Sequence, residues 1–357
     1  MSAPVSSDEL RQSVRAVLQR WGGPASTRRQ SVAPPADTDL LRALADLGLF
    51  GLAVPEARGG SGGTMADLGA AVEEIGAALV ATPVLGSVLA ARALLTAHSD
   101  EAAVHLRAVA SGSIRAAILL PSSGPAADGV VAEPNADGWV LRGRLPAVLD
   151  GADAELLLVP VSRAEGIALF VVQAADTSST SLPVVDLTRR LARFELDGVP
   201  ARLVAAPGDW DPDRYRDEVL ALLSADAVGG TAAVLDLTVD YAKTRHQFGR
   251  PIGSFQAVKH RCAEMAISTQ TARVALGEAL RQLEEDGSDA ALYCAIAKVS
   301  CGEAYVSVTA QAIQTLGGIG FTWEHDAHLY FKRAHADNVL AGGRTSHWPR
   351  ITSMIDA

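Results

Sequence analysis

Between Tyr241 and Met265 the sequence reads YAKTRHQFGRPIGSFQAVKHRCAEM. Five cations fall within it, Lys243, Arg245, Arg250, Lys259 and Arg261, in a chain of formal net charge -10. The surrounding region is apolar at helical spacing, yet Phe248-Gly249, Pro251 and Gly253 break that pattern. A helix that stops, turns and restarts leaves backbone groups unpaired at the break. Such a break beside cations suggests an anion site at a helix terminus.

Other groups suited to chemistry are fewer. His325 and His328 stand three apart, but no carboxylate or thiol joins them at ligand spacing. With His335 they read as polar positions on a helix surface, and no metal site is expected. His260 and Cys262 are two apart on a helix and do not face each other, which excludes a nucleophile pair. Cys262, Cys294 and Cys301 lie in apolar helical segments without a CxxC pair, and read as reduced core thiols of a cytoplasmic protein. The glycines Gly59, Gly60, Gly62 and Gly63 lack a following GK[ST], so they read as a connector rather than a phosphate cradle.

These residues need elements to position them. The 357 residues are 48% hydrophobic and 20% charged, which describes a globular chain with a large core. The acidic balance argues against nucleic acid as a partner and leaves a small anionic ligand for the local basic cluster. No apolar h-region opens the chain and no run approaches ~18 apolar residues, so neither a secretory signal nor a membrane span is expected. Residues 1–112 read as helices, with Gly48 as a stop and Thr64 as a cap. Residues 113–207 read as short strands at Ala116–Leu120, Val130–Glu133, Trp139–Arg142, Glu155–Val161, Ile167–Val172 and Arg193–Leu196, a small antiparallel barrel or sandwich. A Pro/Ser/Gly cluster from Pro121 to Gly124 ends the first of them. Residues 208–357 read as a four-helix bundle built on Glu218–Thr244, Pro251–Leu283, Asp289–Leu316 and His325–Ala341.

This α+β order, with its phrases, resembles the acyl-CoA dehydrogenase family along nearly the whole chain. LGLFGLAVPEARGGSGGTMADLGAAVEEIG is similar to the family's N-terminal helical domain. GWVLRG and FELDGVPA are similar to its middle antiparallel β-barrel. The stretch from Tyr241 to Met265, and AIQTLGGIGFTWEHD, resemble its two C-terminal signatures. The resemblance implies a tetramer of paired dimers, bound FAD, an acyl-CoA thioester substrate and an electron-transfer acceptor. The reaction implied is α,β-dehydrogenation: a carboxylate takes the α-proton, the flavin accepts the β-hydride, and hydrogen bonds stabilise the thioester enolate.

Carried over by motif, Arg245 is the residue that grips the FAD pyrophosphate, through two N–H groups. Gln247 and Phe248 take the neighbouring FAD contacts, and Gln314, Gly317 and Gly318 take others. The family makes these contacts to the FAD of the neighbouring subunit. Trp323 then packs either at an interface or in the core.

The departures lie elsewhere. The flavin-side phrase Thr-Glu-Pro reads Leu119-Leu120-Pro121, and the aromatic-Ile-Thr phrase reads Ala147-Val148-Leu149, without hydroxyls. The usual catalytic Glu falls on Ala341, and the alternative base place on the long helix falls on Val219. Nearby acids are Glu218, Asp217 and Asp337, with His335. Glu218 is one residue off and turned by about 100°; it is either a displaced base or a surface acid favoured by the helix dipole. Three readings follow: the base-lacking subunit of an α2β2 heteromer, resembling the smaller subunits of the steroid side-chain type; a self-sufficient enzyme using Glu218; or a flavin-free scaffold on the same fold.

Overall fold

Capping chemistry sets the first helices of this computed structural model, which describes residues 7–21, 23–24, 26–27, 37–121, 127, 129–136 and 138–356. These helices are α1 (Ser7–Trp21), α2 (Thr38–Asp46), α3 (Met65–Ala77), α4 (Leu85–Leu95) and α5 (Asp100–Ala110). Asp37 accepts from the Leu40 N–H, Ser99 from Ala102, and Thr64 forms a reciprocal capping box with Asp67. Helix α4 has no polar cap and is buried along nearly its whole length, so packing holds it. Gly60 is a glycine because an added Cβ would lie 2.1 Å from the Val54 carbonyl.

The central layer has seven strands: β1 (Ala116–Ile118), β2 (Val131–Asn135), β3 (Gly138–Leu149), β4 (Leu156–Arg163), β5 (Gly166–Gln173), β6 (Ser178–Ser181) and β7 (Leu191–Ala205). Their order is β1-β4-β5-β7-β3-β2, with β6 also on β7. All pairs are antiparallel except β1 with β4. The sheet is therefore mixed, a difference from the purely antiparallel expectation. Strands β3 and β7 run 12 and 15 residues, longer than their alternation suggested. They stay paired through register shifts at Leu141/Arg142 and Leu145/Val148 that bend them. Phe170 and Phe194 fill the sheet's own core, with Trp139 edge-on to Phe170. Residues 1–6 and the cluster at Ser122–Gly124 lie outside the described residues.

The C-terminal helices are α6 (Pro212–Thr244), α7 (Gln256–Glu284), α8 (Ala290–Leu316), α9 (Ala327–Asp337) and α10 (Arg344–Ile355). Asp211 caps α6 and Pro212 opens it. By length and composition α6 could cross a membrane, but its apolar window is 83% buried within the protein. It is a core helix, packed against α3, α8 and α7. Its buried Ser224, Thr231 and Thr238 hydroxyls donate to carbonyls four residues back, which satisfies them inside the core. Helix α10 follows the four helices expected of the bundle and carries Pro349 within it.

Candidate functional site

The basic stretch folds as helix, hairpin and helix. Arg245 leaves α6 with extended backbone; its N–H donates to Tyr241 O and its carbonyl accepts from Ile252 N–H, both at 2.8 Å. Strands β8 (His246–Gln247) and β9 (Arg250–Pro251) pair antiparallel and leave Phe248-Gly249 as a two-residue turn. Both turn residues have positive φ, +54 and +74, as the right-handed twist of a tight hairpin requires. Arg245, Gln247 and Phe248 are exposed, Phe248 at 91%.

The second signature lies beside it. Arg261 on α7 donates to Thr315 Oγ1 near the end of α8 at 3.4 Å, and His325 meets Tyr241 of α6 edge-on. Gln314 is exposed, and a Cβ added at Gly317 or Gly318 would meet nothing within 4 Å. Packing therefore requires neither glycine; the backbone at Gly317, with φ +68, favours one in itself, whereas nothing within this chain calls for one at Gly318. Trp323 is 59% exposed beneath the Lys332 ammonium, which rules out the core alternative for it. His328, read as a surface position, is buried against Trp323 instead. Cys294 and Cys301 are buried, whereas Cys262 is half-buried rather than core. Among the described residues no group of three or more His, Cys, Asp or Glu could hold a metal.

The inner positions are different. Val219 is 0% exposed in the main core, and Ala341 is buried at φ +54. Val148 and Leu149 are core residues, and Leu119 and Leu120 are half-buried against the two cores. Glu218 is 0% exposed, so the reading as a surface acid is overturned. Its carboxylate takes a two-pronged hydrogen bond from Arg92 at 2.7 and 2.8 Å and another from Arg214 at 3.2 Å. Asp217 is also buried and paired, with Arg350 of α10 at 2.8 Å. His335 is exposed.

Asp337 belongs to a buried charge cluster that sequence reading missed. Arg189, between β6 and β7, donates to Asp226 of α6 at 2.8 Å and to Asp337 of α9 at 2.9 Å. Arg333 is 0% exposed and donates to Thr188 Oγ1 (2.6 Å), Thr188 O (2.7 Å) and Val80 O (2.9 Å). It also lies 3.4 Å from Asp226 and 3.6 Å from Asp186. Lys298 of α8 donates to Asp337 O, and Asp150 accepts from Gly86 N–H. Burial pushes Asp337 up to about 8 and Asp150 up to about 6, despite the nearby arginines. Burial also brings Lys298 down to about 8. For Asp226 burial acts upward, but Arg189 and Arg333 more than offset it and hold the carboxyl below its ordinary value. The cluster joins all three layers. The signal for it was an acid on an almost wholly apolar helix, Asp226, which must find a buried cation.

The outer set fits the phosphate end of a dinucleotide: a free-standing cation, side-chain amides, an aromatic ring and backbone open to approach. The inner positions offer no hydroxyl donor and no base. A helix–sheet–helix chain with these two surface signatures defines an acyl-CoA dehydrogenase, and the chain belongs to that family. The family's N-terminal domain matches residues 6–113 and its C-terminal domain residues 221–353. Among its relatives, acyl-CoA dehydrogenase IpdE2 of Mycobacterium tuberculosis (strain ATCC 25618 / H37Rv) is 34% identical over 99% of both chains. Acyl-CoA dehydrogenase FadE34 of the same organism is 38% identical over 88% of this chain, which spans 42% of FadE34. The crystal structure of the ChsE4-ChsE5 complex from Mycobacterium tuberculosis superposes with a TM-score of 0.89 at 29% identity, over 99% of this chain and 98% of that one.

Proposed function

We propose that this chain is the base-lacking subunit of a heteromeric, FAD-dependent acyl-CoA dehydrogenase. One observation carries the reading: the residues matched to FAD contacts stand exposed on the bundle surface, while the flavin-side places hold apolar side chains without hydroxyls and both base places, Val219 and Ala341, are apolar and buried. A surface set of this kind serves a cofactor seated in a neighbouring subunit. Arg245 would hold the pyrophosphate, Gln247 and Gln314 would add amide contacts, and Gly317-Gly318 would let backbone approach the cofactor. When bound, FAD supplies the acceptor for the β-hydride of the acyl-CoA thioester. The partner supplies the carboxylate that takes the α-proton. The similar ChsE4-ChsE5 structure is itself a complex, which supports a partner subunit; the α2β2 arrangement follows from the subgroup resemblance.

The steroid side-chain class of thioester follows from the subgroup resemblance, and a cytoplasmic setting with a separate electron-transfer acceptor completes the reading. The test is expression alone and together with a neighbouring gene's base-bearing subunit. The chain alone should be colourless and inactive, and the pair should show the flavin absorbance bands and turnover. A full complement of FAD with turnover in the isolated chain would overturn the proposal.

A further inference from the structure

The Phe248-Gly249 turn is built at a cost. Its left-handed backbone suits glycine, but a phenylalanine there crowds its Cβ against a carbonyl. Asn-Gly is the pair such a turn favours. The phenylalanine gains little burial in return, since it is 91% exposed. A stack holds it instead. The ring of Phe255, just before α7, meets Phe248 edge-on at 6.1 Å between centroids and 80° between planes. The Arg250 guanidinium lies 4.1 Å from the same ring's centroid. Both contacts depend on ring geometry and not on bulk alone. Phe255 is fixed by its backbone, donating to Ile252 O and accepting from the N–H groups of Val258 and Lys259, each at 3.1 Å. Arg250 also pairs with Gln247 across the hairpin. Turn, strands and helix start therefore form one body. Strained residues held by their surroundings cluster where ligands are clamped.

We infer that Phe255 and Arg250 are positioning residues: the Phe255 ring is the pin that aims Phe248, and with it the Arg245–Gln247 strand, at the cofactor of the neighbouring subunit. This rests on the function proposed above. Preorganised contacts lose affinity when their supports are removed, even where the contacting residues remain.

The test is titration of FAD into the apo two-subunit complex, followed by flavin fluorescence, with Phe255→Leu, Phe255→Tyr and Arg245→Ala beside the unmutated chain. Phe255→Leu keeps apolar bulk but no ring, and should raise the Kd for FAD about tenfold with subunit association intact on gel filtration. Phe255→Tyr should restore the affinity. Unchanged FAD binding by Phe255→Leu, with binding lost in Arg245→Ala, would overturn the positioning role and leave the cofactor reading standing. Unchanged binding in both would overturn the cofactor reading as well. Loss of subunit association in Phe255→Leu, or failure of Phe255→Tyr to restore affinity, would show that the ring only packs, and the inference would fall.

Discussion

Glu218 lies near the start of α6 with both carboxylate oxygens bound by guanidinium groups, inside a protein that excludes water from it. A carboxylate so held is a structural anion: to act as a base it would have to give up the contacts that make its burial tolerable. Glu218→Gln should therefore leave turnover of the two-subunit complex unchanged while destabilising this chain by about 3 kcal/mol, the cost of breaking a buried pair. Turnover lost with stability intact would instead favour the self-sufficient enzyme. Arg245 is the opposite case, an exposed cation that the proposed function assigns to an outside ligand. Arg245→Ala should strip FAD from the purified complex, and Arg245→Lys should recover only part, since an ammonium keeps the charge but not the two-pronged grip. The flavin absorbance bands of the purified complex check both.

The β8–β9 hairpin exchanges local stability for a projecting ring. Replacing Phe248 with Asn should relieve the left-handed strain and raise stability against urea by about 1 kcal/mol, while lowering affinity for FAD in the complex. A variant both more stable and equally tight would mean that the ring contacts nothing. Helix α10 has a different task. Its Arg350 pairs with Asp217, an acid that burial pushes above its ordinary value. Arg350→Ala leaves that acid buried with only Arg216, 3.6 Å away and not hydrogen-bonded to it, and chemical unfolding should show a loss of about 1–3 kcal/mol.

The charge cluster around Arg189 and Arg333 couples the three layers, so its protonation is felt by the whole chain. Asp337 is raised from 3.8 to about 8 and Asp150 from 3.8 to about 6. Both bind a proton more tightly folded than unfolded, so their contribution is complete below pH ~4 and is lost as pH rises toward 6 and then 8. Lys298 is lowered from 10.5 to about 8, so its contribution is present above pH ~10.5 and lost as pH falls toward 8. Stability from this cluster should thus fall between about pH 4 and 8 and partly recover above it. Melting temperatures measured across that range should show the decline, and Asp337→Asn, which keeps polar shape without titrating, should flatten it. An unchanged profile in Asp337→Asn would remove Asp337 as its cause.

What sequence determined here is what neighbouring residues settle among themselves. The break at Phe248-Gly249, the Thr64 cap and the strand alternation are local, and the absence of a proton acceptor at Val219 and Ala341 is a matter of side-chain identity alone. Tertiary structure decided which way each acid faces and what it meets. Glu218 finds Arg92 at 126 residues' separation, and Arg189 finds Asp337 at 148. No period or spacing records such pairs. They form because a charge carried into the core by its apolar neighbours must be met there by an opposite one. The exposure of Arg245, Phe248 and Gly317-Gly318 was likewise decided in three dimensions, by the packing of α6, α7 and α8 at their shared end.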